Sequence, residues 1–433
     1  MPVFESLYAA GMAAVRRLSP TVSGRDSKLG RGVDGRRTAL ESLERWAEAH
    51  RDPARPLAWV HAPSVGEGLQ ARAVIESAQT RAPDRFQWVF THFSPSAEGL
   101  ASRMPVDWSG YLPWDVESDV TRALAALRPS VVAFTKTEVW PVLSRTAAAW
   151  GVPTALFAGT LPATSSRVTF PARPVLRPSM ERLQLVAAIA DADADRFIAA
   201  GVRPEVVRVV GDPGVDSAAQ RAAAADPQAP FLRPFQDRPR PTLVAGSTWP
   251  ADEAVLVPAL TAVRSRTSEL RLIVAPHEPD PEHVEPLLGA LRREGWDTVT
   301  LREIEAGATL EGVDAVVVDR VGALAHLYTV GAFAYVGGGF HDAGLHSVLE
   351  PAAAGIPCIF GPRHRNARAA GELLGAGAAA EVGDARDLEG VVTGWLDDDM
   401  QRTVAGSVAA RWIDAHRGAS DRTADALLAL VAS

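Results

Sequence analysis

Residues 335–351, "YVGGGFHDAGLHSVLEP", read as a strand that ends abruptly in glycine and is followed by a helix start. The preceding run, "AFAYV" (332–336), is apolar throughout, which suits a strand covered on both faces rather than one face in water. Three glycines follow (Gly337, Gly338, Gly339), and Ser347 and Glu350 stand three apart just ahead of Pro351. Proline deep in a helix costs about 3 kcal/mol, so a helix must begin within a residue or two of it. Strand, bare backbone and helix start in that order are the connection of a doubly wound α/β domain, whose ligands sit at the carboxyl ends of its strands.

The same alternation fills the chain on either side. In the first half, "PLAWVHA" (56–62), "FQWVFTHF" (86–93), "SVVAFTKT" (130–137), "TALFAG" (154–159), "LVAAIA" (185–190) and "VRVVGD" (207–212) read as strands. "LQARAVIESAQTRA" (69–82), "VTRALAALR" (120–128) and "DADADRFIAAG" (191–201) between them read as helices. In the second half the strands are "TLVAG" (242–246), "RLIVAP" (271–276), "DTVTL" (297–301), "AVVVD" (315–319), the opening segment and "CIFG" (358–361). Helices are expected from Ala251, from about Pro281, from Ala323 and near Leu349, with two helical stretches at 385–415 and 420–431. Residues 217–241 break the rhythm with Ala, Pro, Arg and Gln. The expectation is α/β: two Rossmann-like doubly wound parallel-sheet domains facing each other across a cleft. The domains would be an N-terminal helical, basic segment (1–50), a first Rossmann-like domain (51–216), a linker (217–241), a second Rossmann-like domain (242–405) and C-terminal helices (406–433).

The 433 residues exceed one ordinary core, in keeping with two domains. Lys plus Arg number 44 against 52 Asp plus Glu, a net charge of −8, which argues against nucleic acid as a partner. The single cysteine, Cys358, excludes an intramolecular disulfide and fits a reducing compartment. No run reaches the ~18 apolar residues of a transmembrane helix. Phe4, Leu7, Tyr8, Met12, Val15 and Leu18 do make an apolar stripe at helical spacing, with Arg16 and Arg17 at its end. That stripe suits either packing on its own domain or a foot on a membrane surface, so peripheral membrane association is one expectation.

Several patterns carry no chemistry. Asp191–Asp193–Asp195 and Asp397–Asp398–Asp399 match D-x-D but lack a further ligand at metal spacing, and His341 and His346 are five apart, so no metal is expected. Neither a dinucleotide fingerprint nor a P-loop is present. The strand ends are more informative. In "HAPSVGEG" (61–68), Ser64 and Glu67 form S-x-x-E: a capping box, or a carboxylate at the cleft with Gly66 and Gly68 leaving room for substrate. In "TKTEVWP" (135–141), Glu138 is a second acid, serving either the helix dipole or the reaction. "AGSTWP" (245–250) offers Ser247 and Thr248 as an anion cradle, unless Thr248 only caps the helix. "APH" sets Pro276 and His277 at the next strand's end. Gly338, Gly339 and the S-x-x-E of Ser347–Glu350 then suit a phosphate beside bare backbone and a carboxylate near ribose hydroxyls.

Taken together, "SVGE", "TEVWP", "GSTWPADE", "APHEP", "VGALAHLY", "YVGGGF" and "HSVLEPAAAGIPCIFGP" resemble, in order and spacing over about 25–385, the 3-deoxy-D-manno-octulosonic acid (Kdo) transferases. The resemblance implies the GT-B fold and an inverting transfer of Kdo from CMP-Kdo to a lipid A precursor, lipid IVA, at the cytoplasmic face of the inner membrane. It implies Glu67 as general base and Glu138 as the acid that helps hold the transition state. Pro276, His277, Val321, Gly322, Ala323, His346, Ser347, Val348, Leu349 and Glu350 would be the CMP-binding segments. No cofactor is implied, CMP-Kdo being the donor substrate. The chain departs from the family pattern at "GDPGVDS", where Gly214 replaces a cation that Arg167 or Lys136 could supply, and at Ser347 and Ala323. A GT-B enzyme using a nucleotide-diphosphate sugar, transferase or epimerase, and a non-catalytic nucleotide-binding paralogue remain alternatives.

Overall fold

Among the described residues, fourteen short strands form two parallel sheets of seven. The first sheet is built from β1 (Leu57–His61), β2 (Gln87–His92), β3 (Trp108–Tyr111), β4 (Val131–Thr135), β5 (Thr154–Gly159), β6 (Leu185–Ala188) and β7 (Val207–Val209). The second is built from β8 (Thr242–Thr248), β9 (Arg271–Pro276), β10 (Thr298–Thr300), β11 (Ala315–Val317), β12 (Phe333–Val336), β13 (Cys358–Phe360) and β14 (Ala379–Glu381). The computed structural model describes residues 3–21, 24, 27–163, 165–267 and 269–432. The chain divides into two compact units, residues 1–217 with 416–433 and residues 218–415.

The sheets are parallel and buried on both faces because their strands carry apolar residues at successive positions. β1, β2, β4 and β5 are buried at every residue. Trp59 faces one core with Leu43, Leu124 and Phe134, while its neighbours Ala58 and Val60 face another with Ile75, Phe90 and Phe157. Fully burying side chains of this size contributes about 1.5–3 kcal/mol each. β3 and β14 went unread in the sequence: each is a short strand at or near a sheet edge, only partly buried, without an apolar run.

Strand order decides where a site can form. The first sheet runs β3-β2-β1-β4-β5-β6-β7 and the second β10-β11-β9-β8-β12-β13-β14. The winding reverses between β1 and β4, which pair from Ala58–Val131 to His61–Phe134. In the second unit it reverses between β8 and β12, paired from Leu243–Phe333 to Gly246–Val336. Loops leaving two such strands diverge to opposite faces of the sheet and open a crevice at their carboxyl ends.

The domain boundaries read from sequence need correction at three places. Residues 217–241 are not a bare linker: helix Pro213–Ala223 runs through the division between the units, and the stretch beyond buries Leu232 and Phe235. The C-terminal residues do not form a separate pair of helices. Helix Asp399–His416 closes the second unit, whereas Ala419–Ala432 belongs to the first, burying Ala424, Ala426 and Leu427 against the β1 face of its core. Asp216 fixes that return by accepting N–H bonds from Gly418 (2.7 Å) and Ser420 (2.6 Å). Nor is 1–50 separate, since helix Lys28–His50 gives Leu40, Leu43 and Ala47 to the first core.

The N-terminal stripe splits between its two expected roles. In helix Val3–Leu18, Tyr8 and Met12 pack inward, and the Tyr8 hydroxyl donates to Asp115 at 3.0 Å. Phe4, Leu7, Val15 and Leu18 stay exposed. Among the described residues, no helix is long and apolar enough to cross a membrane.

Candidate functional site

In the first unit the loops after β1 and β4 bring two carboxylates into the crevice, each with its own cation. Ser64 is at the N-cap of helix Val65–Arg81, but its side chain accepts no N–H, so the expected capping box does not form. Its hydroxyl donates instead to Glu67 Oε2, and Lys136 Nζ meets Glu67 Oε1 at 2.9 Å. Glu138 Oε1 takes a bond from Arg167 Nη2 at 2.8 Å. Burial pushes the Glu138 carboxyl above its ordinary range; the Arg167 charge opposes that, and the Glu67 charge adds to it. The two acids are therefore close enough to sense each other.

The frame around them is rigid. Lys136 has φ +53°, in the left-handed region that a side chain adopts only at a cost of about 1–3 kcal/mol. Its N–H is tied to Phe157 O at 2.9 Å. Asp115, buried, accepts from Val142 N (3.0 Å) and Leu143 N (2.8 Å), clamping the first turn of helix Pro141–Ala149 just beyond Glu138. Burial pushes the Asp115 carboxyl up to about 6. Gly66 faces open space, but Gly68 does not: a Cβ there would lie 2.5 Å from Leu100, so its bareness serves packing.

In the second unit the exits of β8, β9 and β12 converge on Trp249. Its ring stacks on His341 (4.2 Å between centroids, 4° between planes) and His277 (4.7 Å), and its Nε1–H donates to His346 Nε2 at 3.0 Å. His277 also stacks on His346 at 4.4 Å. Burial, followed by the neighbouring imidazoles, holds His346 down to about 4, so it is neutral and able to accept that bond.

Beneath this cluster Asp252, fully buried, gathers four donors: Gly338 N (2.8 Å), Trp249 N (2.9 Å), the Tyr335 hydroxyl (3.0 Å) and Phe340 N (3.3 Å). The glycine run has its reason in the same packing. A Cβ on Gly337 would lie 2.2 Å from Ser247 O, one on Gly338 2.2 Å from Gly344 O, and one on Gly339 2.4 Å from Gly361 N. Backbone of this protein, rather than a passing phosphate, occupies the space the side chains would need, which corrects the reading of Gly338 and Gly339 as ligand clearance.

Other expectations are redrawn. The Thr248 hydroxyl is buried and donates to Glu253 Oε1 at 2.9 Å, so it neither cradles an anion nor caps the helix; Ser247 lies on the β8 bulge with φ +56°. Pro276 ends β9 buried, and the N–H of exposed His277 bonds to Thr248 O at 2.9 Å. Val321 is exposed, Gly322 open at φ +85° and Ala323 buried, on the loop from β11 to helix Leu324–Tyr328. Ser347 is not part of a capping box: its hydroxyl accepts from Leu349 N at 3.3 Å while Glu350 pairs with Arg221 Nη2 at 2.8 Å. Val348 and Leu349 bury their side chains and have only backbone to offer a ligand. The strand-end loops thus group Ser64, Glu67, Lys136, Glu138 and Arg167 in one unit and Trp249, His277, His341 and His346 in the other. Gly214 donates its N–H to Asp212 at 2.7 Å and supplies no side chain. Among the described residues one trio has metal-ligand proximity, Glu278, Asp280 and His283, within 4.8 Å; Asp280 is already the N-cap of helix Pro281–Arg293.

Two units of this kind, each a doubly wound parallel sheet with side chains gathered at its switch point, define the GT-B fold class. Solved structures agree on the fold: UDP-GlcNAc 2-epimerase from Neisseria meningitidis bound to UDP-GlcNAc superposes with a TM-score of 0.61 at 12% identity, covering 86% of this chain and 99% of its own. Residues 40–217 match the family described as 3-Deoxy-D-manno-octulosonic-acid transferase (kdotransferase). The 3-deoxy-D-manno-octulosonic acid transferase of Bordetella pertussis is 29% identical over 393 residues, 87% of this chain and 88% of the relative. That of Chlamydophila psittaci is 26% identical over 376 residues, 85% and 84% respectively. The family match and these relatives together support the Kdo transferase family of glycosyltransferases for this chain.

Sequence reasoning passed over Trp249, Asp252 and Arg221. Trp249 stood inside a quoted motif, and a tryptophan directly after a strand and before a helix proline was the available signal. Asp252 looked like a first-turn acid, and three of its four partners lie 83–88 residues away, out of reach of any local pattern.

Proposed function

We propose that the protein transfers Kdo from CMP-Kdo to lipid IVA, with inversion, in lipopolysaccharide core biosynthesis. The observation that carries the reading is the pair of carboxylates, Glu67 and Glu138, brought to one switch-point crevice with a cation on each. Glu67 accepts the proton of an acceptor sugar hydroxyl as that oxygen forms a bond to the anomeric carbon of Kdo. The bond from that carbon to the phosphate oxygen breaks with its electron pair, and CMP leaves. Glu138 with Arg167 balances charge around the carbon, and the β8–β12 loops of the second unit hold CMP, with Glu350 as the acceptor for the ribose hydroxyls. CMP is a competent leaving group, so the step calls for no metal or further cofactor.

Exposed Phe4, Leu7, Val15 and Leu18, with Arg17 beside them, support peripheral contact with the membrane that carries such a lipid, on its cytoplasmic face. The test is Glu67→Ala. A general base contributes about 10²–10⁴-fold, so transfer falls by that factor while CMP binding, measured by calorimetry, is unchanged. Transfer at the wild-type rate overturns the assignment.

A further inference from the structure

The candidate base is covered in the free protein. Glu67 has both carboxylate oxygens engaged, one by the Ser64 hydroxyl and one by Lys136 at 2.9 Å. The Lys136 side chain is 42% exposed and that of Glu67 14%, so the ammonium lies on the solvent side with the carboxylate behind it. This is a costly place for a lysine: its backbone is left-handed at φ +53°, a conformation normally left to glycine. If neutralising Glu67 were the whole task, the site would also be self-defeating, because the lone pair a base needs points at an ammonium.

We propose that Lys136 is the specificity residue for the sugar-acid carboxylate, exchanging its ion pair with Glu67 for one with the substrate and so freeing Glu67 to take the hydroxyl proton. The assignment rests on the Kdo-transfer reading. With its ammonium on the solvent side the ion pair is weak, so an incoming anion displaces it at little cost, whereas a neutral sugar leaves it closed. No covalent bond changes in the exchange; the ammonium keeps its charge and trades one carboxylate for another. Arg167 is not equivalent, because its guanidinium stays with Glu138, whose burial favours a lasting cationic partner. Gly214 has no side chain to compete for the role.

The experiment is calorimetric binding of free Kdo and of its methyl ester to the full chain, for wild type, Lys136→Met and Lys136→Arg, each variant first checked by thermal melting. Wild type is expected to prefer the acid by about tenfold, the scale of one charge-assisted hydrogen bond; Lys136→Met loses the preference and Lys136→Arg keeps it. A preference retained by Lys136→Met, or equal or undetectable binding of both ligands to wild type, overturns the proposal. A purely structural lysine would move the melting temperature without moving the acid-to-ester ratio. Transfer from CMP-Kdo by the wild-type protein is followed in parallel. Its absence, with the ratio behaving as expected, counts against the transfer reading alone; its presence, with the ratio unaltered in Lys136→Met, counts against Lys136 alone.

Discussion

Replacing Asp252 by Asn tests whether one buried carboxylate holds the glycine segment in place. Oδ2 accepts from Trp249 N and Gly338 N, and Oδ1 accepts from the Tyr335 hydroxyl and Phe340 N. Asn keeps one acceptor oxygen and turns an NH2 toward two donors. Each buried donor left unsatisfied costs about 1–3 kcal/mol, and the Phe340 bond is already long, so the expected loss is about 2–5 kcal/mol. At about 2–4 °C per kcal/mol for a unit of this size, the second unit's melting transition falls by roughly 7–14 °C at the middle of that range. Urea and thermal unfolding followed by tryptophan fluorescence measure it, and the transition that CMP shifts upward identifies the second unit. A loss below about 0.5 kcal/mol refutes the view that these four bonds organise the loop.

Three further outcomes follow from the same geometry. The folded pKa of His346, about 4, lies below the ordinary imidazole value of 6.5, so its contribution to stability is complete above pH 6.5 and is lost as pH falls toward 4; unfolding of the second unit between pH 7.5 and 4.5 shows a steeper acid loss in wild type than in His346→Gln. Gly337→Ala drives a methyl against Ser247 O and costs about 3 kcal/mol or more, while Gly66→Ala, facing open space in a helix, leaves stability unchanged or raises it by up to about 1 kcal/mol; denaturant midpoints compare them. Glu350→Gln loses its pairing with partly exposed Arg221 at a cost of about 1 kcal/mol and weakens CMP in calorimetry; unchanged CMP affinity, or UDP bound more tightly than CMP by wild type, contradicts the nucleotide assignment.

The double winding was legible because apolar strand runs and helix-start prolines are local signals. β1, β4, β8 and β12 were each read within a residue or two of their observed limits. The positions of Glu67 and Glu138 were legible for the same reason, since strand ends face the crevice. What their side chains do was not: S-x-x-E is satisfied equally by a capping box and by a carboxylate paired with Lys136, which lies 69 residues further along the chain. Glycine posed the same difficulty. Gly337–Gly339 look alike as ligand clearance and as backbone packed on backbone, and only the contacts with Ser247, Gly344 and Gly361 decide. The return of helix Ala419–Ala432 to the first unit also left no local mark, because an amphipathic helix does not state which sheet it covers.

The central claim is tested most directly by following Kdo from CMP-Kdo with purified wild-type protein, with and without lipid IVA. The account predicts release of CMP that depends on acceptor and is matched by a Kdo-bearing glycolipid seen by mass spectrometry. No CMP release, or release at the same rate without acceptor and with no glycolipid formed, contradicts it.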